Sequence, residues 1–361
     1  MLLHQIALTL IPGIGDINGK KLVAYCGSAE AVFKESRNSL MKIPGMGSAT
    51  ADAIANHNVF SRAEEEILFI EKNGIKPLYY LDENYPHRLK HCMDSPILLY
   101  TKGDVDFNCN KVVSIVGTRR ATEYGKEVCD KIVEDLAELD VLVVSGLAYG
   151  IDTHSHKSAL HYGLKTVGVL AHGLDRIYPH QNKALAEKML EQGGLVTDFM
   201  SNTNPDRENF PKRNRIVAGL CDALVVIESA KRGGALITAN IANSYSRDVF
   251  AVPGKVKDKY SEGCNFLIKT NKASLIQSAQ DIRYIMNWLE KPISGKQTKL
   301  FRELNQDEQL IIDILNDNGE SSIDFIVLSS KLASSKIAAV LLNLEFDGMV
   351  KSLPGKMYKR V

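Results

Sequence analysis

The stretch Asn209-Phe210-Pro211-Lys212-Arg213-Asn214-Arg215 sets three cations and an amide side chain at the opening of a short helix. Proline suits the first helical turn, and helix starts carry free N–H groups and partial positive charge. Cations there oppose the helix dipole, by about a few tenths of a kcal/mol or more, unless an anion sits among them. Phosphate is the natural anion for such a cluster. A solvated charged face is the plainer alternative. Three other turns share the character: Gly117-Thr118-Arg119, Ser145-Gly146 and Lys231-Arg232-Gly233-Gly234, where glycine allows close backbone approach to a ligand. Catalytic residue types are also present. Ser145, Asp152 and His156 have the makings of a hydrolase triad, and His154 with His156 invites a metal, but Ser145-Gly146 lacks the Gly-x-Ser-x-Gly elbow that exposes a nucleophile. Asp152 reads more simply as a helix N-cap and His156 as a buried, hydrogen-bonded core residue.

The elements that position these turns are short, nearly unbroken apolar runs. Val112–Val116, Val141–Val144, Thr166–Leu170, Leu195–Thr197, Ala223–Ile227 and Val249–Val252 alternate with helical patterns such as Val128, Ile132, Leu136 and Leu139. That alternation predicts a doubly wound, mostly parallel sheet covered on both faces. Ligands of such sheets lie beyond the carboxyl ends of the strands, where all the candidate turns fall.

The whole chain has 361 residues, with 44 Lys and Arg against 43 Asp and Glu, so no global positive charge advertises a polyanion. The balance is uneven along the chain. Between Pro205 and Tyr260 ten Lys and Arg face six Asp and Glu, a local excess of four. Six cysteines are scattered without a Cys-x-x-Cys pair, which argues against zinc and for a reducing compartment, the cytoplasm. No apolar run approaches the roughly 20 residues of a membrane helix, and the first residues lack the plan of a signal peptide.

The flanks read as accessories. Ile11-Pro12-Gly13-Ile14-Gly15 recurs as Ile43-Pro44-Gly45-Met46-Gly47, each before a helix-forming stretch, which predicts two helix-hairpin-helix turns. Such turns present backbone amides to nucleic-acid phosphates, or serve simply as packing turns. The sheet unit is expected over 71–289 after an N-terminal unit over 1–70. A polar linker, 290–299, then leads to a unit over 300–361. There, helical runs at Glu308–Leu315, Ile323–Leu328 and Ser335–Phe346 and a hairpin near Pro354-Gly355 resemble a winged helix.

Taken in order, Val116-Gly117-Thr118-Arg119, Val144-Ser145-Gly146-Leu147-Ala148-Tyr149-Gly150-Ile151-Asp152, Phe210-Pro211-Lys212-Arg213-Asn214-Arg215 and Leu236-Ile237-Thr238-Ala239 resemble the DNA-processing protein A (DprA/Smf) family. Tyr178-Pro179, Val252-Pro253-Gly254 and Gly263-Cys264-Asn265 strengthen the match. The resemblance implies an extended Rossmann-like domain between a small all-α helix-hairpin-helix (SAM-like) domain and a C-terminal winged helix. It implies a non-enzymatic, cofactor-free protein of natural transformation that binds and protects single-stranded DNA, helps load the RecA recombinase, and acts as a homodimer. Gly233-Gly234-Ala235 stands where Ser-Gly-Ser is common in the family, and Ser155-His156 where Ala-His is common. The expected nucleic-acid site comprises Gly117, Thr118, Arg119, Ser145, Gly146, Lys212, Arg213, Asn214, Arg215, Gly233 and Gly234. Arg119, Lys212, Arg213 and Arg215 are expected to bind successive phosphates, with no aromatic among them except Phe210. The competing reading is an enzyme of nucleotide metabolism with Glu228 as acid or base. A dinucleotide cofactor is disfavoured, because Gly-x-Gly-x-x-Gly is missing after the first strand.

Overall fold

A computed structural model describes residues 1–288 and 304–361, so the linker expected over 290–299 lies outside the described residues. Its centre is a nine-stranded sheet formed by β1 (Lys76–Tyr79), β2 (Leu98–Gly103), β3 (Val112–Val116), β4 (Leu142–Ser145), β5 (Thr166–Val169), β6 (Gly193–Thr197), β7 (Ala223–Val226), β8 (Asp248–Ala251) and β9 (Ser274–Leu275). Their spatial order is β1-β2-β6-β5-β4-β3-β7-β8-β9, with β3 to β9 parallel and β1 and β2 added antiparallel beyond β6.

Every residue of β3 to β7 is buried, as unbroken apolar strands demand when helices cover both faces. The strand alternation splits them between two cores: Val112, Val116, Leu142, Val144, Leu224 and Val226 face one layer, while Val113, Ile115, Val143, Ala223 and Val225 face the other. β1 and β9 were not legible as strands. β1 carries a proline and lies at one edge, and β9 is two exposed residues at the other.

From β3 the chain winds outward through β4, β5 and β6, then returns to place β7 on the other side of β3. The loops after β3 and β7 therefore diverge, which opens a crevice at the carboxyl ends of these two strands.

The helices from Leu2–Leu10 to Phe60–Asn73 pack around Ile6, Leu8, Leu22, Leu40 and Ile54, and share this core with Ile97, Leu98 and Tyr100 of the sheet edge. The sequence echo becomes one turn made twice. Gly13 and Gly45 take φ of 80° and 83°, a left-handed conformation that glycine adopts without a Cβ penalty. Ile14 N donates to Ile11 O at 3.1 Å and Met46 N to Ile43 O at 3.0 Å, and the following helices begin at Asp16 and Ser48. At the C-terminus, helices Gln306–Asn318, Ile323–Ser330 and Ser334–Phe346 pack with a three-stranded sheet of β10 (Ser321–Ser322), β11 (Val350–Leu353) and β12 (Met357–Arg360), the plan of a winged helix.

Candidate nucleic-acid interface

The loops after β3, β4 and β7 and the helix Asn209–Leu220 enclose a cleft of about 640 Å³ at the crevice. Of the expected residues, Gly117, Thr118, Arg119, Gly146, Arg213, Asn214, Gly233 and Gly234 line it. Its charged lining is Arg119, Arg207 and Arg213 against Asp152, a net positive hollow.

Arg213 forms the floor. It is only 4% exposed, and its Nη1 donates to the carbonyls of Gly146, at 2.5 Å, and Val169, while Nε donates to Asn214 Oδ1 at 3.2 Å. A Cβ at Gly146 would run into this guanidinium, so glycine is required there by packing. Burial pulls the Arg213 pKa down to about 10, resisted by Asp152, so the group stays charged at neutral pH. Its Nη2 has no partner among the described residues, which leaves one donor edge for a ligand.

The rim is aromatic as well as basic. The Arg119 guanidinium lies 5.2 Å from the centre of the Phe210 ring, and Phe210 meets Tyr178 at 6.1 Å in a tilted pair. The expectation that Phe210 is the sole aromatic among the cations is thus corrected. Tyr178 arrives from the segment after β5, more than 30 residues upstream, so nothing in the local pattern around Phe210 announces it. Arg207 is a second residue that local pattern did not single out as a ligand.

Backbone donors are distributed unevenly. The amides of Thr118 and Gly233 are already used, by Glu228 O at 2.7 Å and Ala230 O at 2.9 Å. At the start of the helix Gly234–Ser244, the amides of Gly234 and Ala235 have no hydrogen-bond partner among the described residues, as expected of a first turn. Gly117 is glycine for another reason: a Cβ there would collide with the Ile151 side chain.

Three expected residues do not line the cleft. Ser145 is fully buried and its Oγ donates to Ile115 O at 2.6 Å. Lys212 is exposed outside the cleft, because successive helical residues point about 100° apart. Arg215 turns to the opposite side of the helix, where its Nη2 meets Asp198 Oδ2 at 2.6 Å and Asp16 Oδ2 at 2.8 Å, and its Nη1 donates to Asp94 O. Burial works against this charge, but the two carboxylates outweigh it and hold the Arg215 pKa above the ordinary guanidinium value. Asp16 also accepts from Ile97 N at 2.8 Å, and Lys20 reaches Ser95 Oγ at 2.5 Å, so the first hairpin's helix is docked on the sheet domain.

The catalytic alternatives find no assembled site. His156 is fully buried with Nδ1 on Thr166 Oγ1 at 2.6 Å, not on Ser145, and burial drops its pKa to about 3. Asp152 sits one residue inside its helix, whose N-cap is Gly150 at φ 79°. Both Glu228 oxygens are engaged by Thr122, from Oγ1 at 2.5 Å and from N at 2.9 Å, which ties the carboxylate to the start of the helix Glu123–Ala137.

A family model described as DNA recombination-mediator protein A matches residues 76–287, and one described as the DprA winged helix domain matches 298–356. Protein Smf of Synechocystis is 30% identical over 99% of this chain and 98% of its own length. DNA processing protein DprA of Streptococcus pneumoniae is 40% identical over 56% of this chain and 71% of its own. The X-ray structure of the pneumococcal protein superimposes with a TM-score of 0.69 at 31% identity, covering 79% of this chain and 98% of that one. A structure of the Helicobacter pylori protein, described for its single-stranded DNA binding mode, gives a TM-score of 0.54 at 27% identity over 59% of this chain and 96% of that one. With the sheet, the cleft and the winged helix in place, these matches show that the chain belongs to the DNA recombination-mediator protein A family.

Proposed function

We propose that this protein is a single-stranded DNA-binding recombination mediator of natural transformation, and that the cleft beyond β3 and β7 holds the strand. The carrying observation is the combination at its rim: a cation stacked on an aromatic ring beside two free helix-start amides. Phosphates suit Arg119, Arg207, the open edge of Arg213 and the amides of Gly234 and Ala235. A base suits Phe210 and Tyr178, since every base has a π-face, so binding would tolerate sequence and respond strongly to salt. The H. pylori relative described as binding single-stranded DNA supports this assignment.

The same proposal includes protection of the bound strand, loading of RecA, and a homodimer through the Rossmann-like domain, in the cytoplasm and without catalysis. No single described helix is long and apolar enough to cross a membrane. We take 1–70, 71–289 and 300–361 as working units joined by 290–299. Glu228, held by Thr122, is poorly placed for the nucleotide-hydrolysing alternative.

Gel retardation with single-stranded DNA, double-stranded DNA and mononucleotide competitors tests the reading. Displacement by single-stranded DNA at the lowest concentration is expected. Preferential displacement by a mononucleotide would move the assignment to the nucleotide enzyme.

A further inference from the structure

A second cleft, also about 640 Å³, lies beside the first and is lined by Thr122, Tyr124, Glu228, Tyr260 and the loop from Gly254 to Ser261. The two hollows share a wall. Glu228 lines one and Ser229 the other, and Ser229 is bonded across to the loop, with its N donating to Tyr260 O at 2.7 Å and its O accepting from Gly263 N at 2.8 Å.

The loop is held in shape although residues 255–259 are exposed. Asn265 clamps Gly254 from both sides, Nδ2 donating to its O at 2.9 Å and Oδ1 accepting from its N at 3.2 Å. Internal turns follow, Asp258 N to Lys255 O at 3.0 Å and Ser261 N to Asp258 O at 2.9 Å. This gives a role to the Pro253-Gly254 and Gly263-Cys264-Asn265 motifs that the first cleft does not use. A Cβ at Gly263 would strike the carbonyls of Ser229 and Ala230, so that residue too serves the junction.

The loop carries Lys255, Lys257 and Lys259, all exposed. Their ammonium groups make no ion pair or hydrogen bond with a described residue, and Lys259 only approaches the Tyr260 ring, at 5.9 Å. Opposite stands Tyr124, 48% exposed, its hydroxyl donating to Pro253 O at 3.0 Å. The acids present do not neutralise the lysines: Glu228 is buried with both oxygens occupied, and Asp258 faces solvent without an ion-pair partner. Lys231 and Arg232, both exposed, follow Ser229 and Ala230 directly in the chain. Two adjoining clefts, each lined by cations and aromatic rings, thus flank the step from Glu228 to Ser229, which is the composition of a single-strand track.

We infer that the cleft between Tyr124 and the loop Gly254–Ser261 is a second subsite for the same single strand, taking phosphates on Lys255, Lys257 and Lys259 and a base against Tyr124 or Tyr260. This rests on the first cleft holding single-stranded DNA. Fluorescently labelled oligothymidylates of graded length, titrated against the full chain at several salt concentrations, test it with the triple variant Lys255→Gln/Lys257→Gln/Lys259→Gln and with Arg119→Ala. Wild-type affinity should keep rising past the length at which the triple variant levels off. For long oligomers the slope of log K on log salt should flatten by about 2 in the triple variant, at about 0.7 per phosphate contact, with the shortest oligomers unaffected. Equal slopes at every length would overturn the second subsite, and so would the same loss on the shortest oligomer, which would place the lysines' effect in the first cleft. Arg119→Ala reports on the first cleft separately: if it binds the shortest oligomer as wild type does, the first-cleft assignment fails whatever the lysines do.

Discussion

Arg213 and Arg215 stand two residues apart on one helix, and the two sides they face are built for different ends. On the cleft side, Arg213 spends one nitrogen on two carbonyls and keeps another open, with exposed Arg119 above it. On the other side, Arg215 is closed off by Asp16, Asp198 and the carbonyl of Asp94, three segments distant in sequence. A charge with carboxylates on it joins parts of the protein together. One left partly unpaired, in a hollow where three arginines face the single carboxylate of Asp152, waits for an anion. The comparison teaches that cation density marks where anions meet the chain, and that the partners already present decide whether those anions belong to the protein or to a ligand.

The sharpest way to break this contrast is Arg215→Ala. It leaves Asp198 buried without its partner, and removal of one member of a buried pair costs about 3–5 kcal/mol. Urea denaturation should show that loss, while single-stranded DNA affinity measured on the folded fraction stays within roughly threefold of wild type. A large loss of affinity with unchanged stability would put Arg215 back among the ligand contacts.

A second test concerns His156, where burial and the Arg213 charge both disfavour protonation. The His156 pKa falls from 6.5 to about 3 on folding. Below pH 6.5 the unfolded chain takes up a proton that the folded chain refuses, so stability falls as pH falls from about 6.5 towards 3 and is unaffected above that window. The expected slope is about 1.4 kcal/mol per pH unit from this group, and His156→Gln should remove it from the pH dependence of unfolding. An unchanged slope between pH 6 and 4 would mean that His156 is not held neutral.

At the rim, Phe210→Ala should weaken single-stranded DNA binding by about 1–3 kcal/mol, the usual worth of a base-stacking ring, with little change in salt slope. Arg119→Ala should instead flatten the slope by about 0.7, with all sequences weakened alike. Exchange of these two signatures would reverse the roles of ring and cation. The smallest effect belongs to Lys212→Ala, exposed outside the cleft, where stability and short-oligomer affinity should each change by less than about 0.5 kcal/mol. A salt slope flattened as much as by Arg119→Ala would show that the strand leaves the cleft across this face.

Much of this protein was determined by sequence alone, because the signals are local. Unbroken apolar runs specify β3 to β8, the repeated Ile-Pro-Gly-x-Gly specifies two identical left-handed turns, and glycine after a strand specifies where a ligand can approach. Six of the eight expected residues that line the cleft do so because strand ends in a doubly wound sheet must converge on its switch point, and Arg213 and Asn214 join them from the helix Asn209–Leu220. Only the tertiary structure decided which cations were free. Arg213 and Arg215 read alike in a string of basic residues, but helical periodicity sends them to different sides, and Asp16, some 200 residues upstream, claims one of them. Tyr178 joined the rim, and the Gly254–Ser261 loop came to rest against Ser229, for the same reason. Such pairings depend on which segments the packed core brings within hydrogen-bonding or van der Waals distance, and sequence separation carries no information about that.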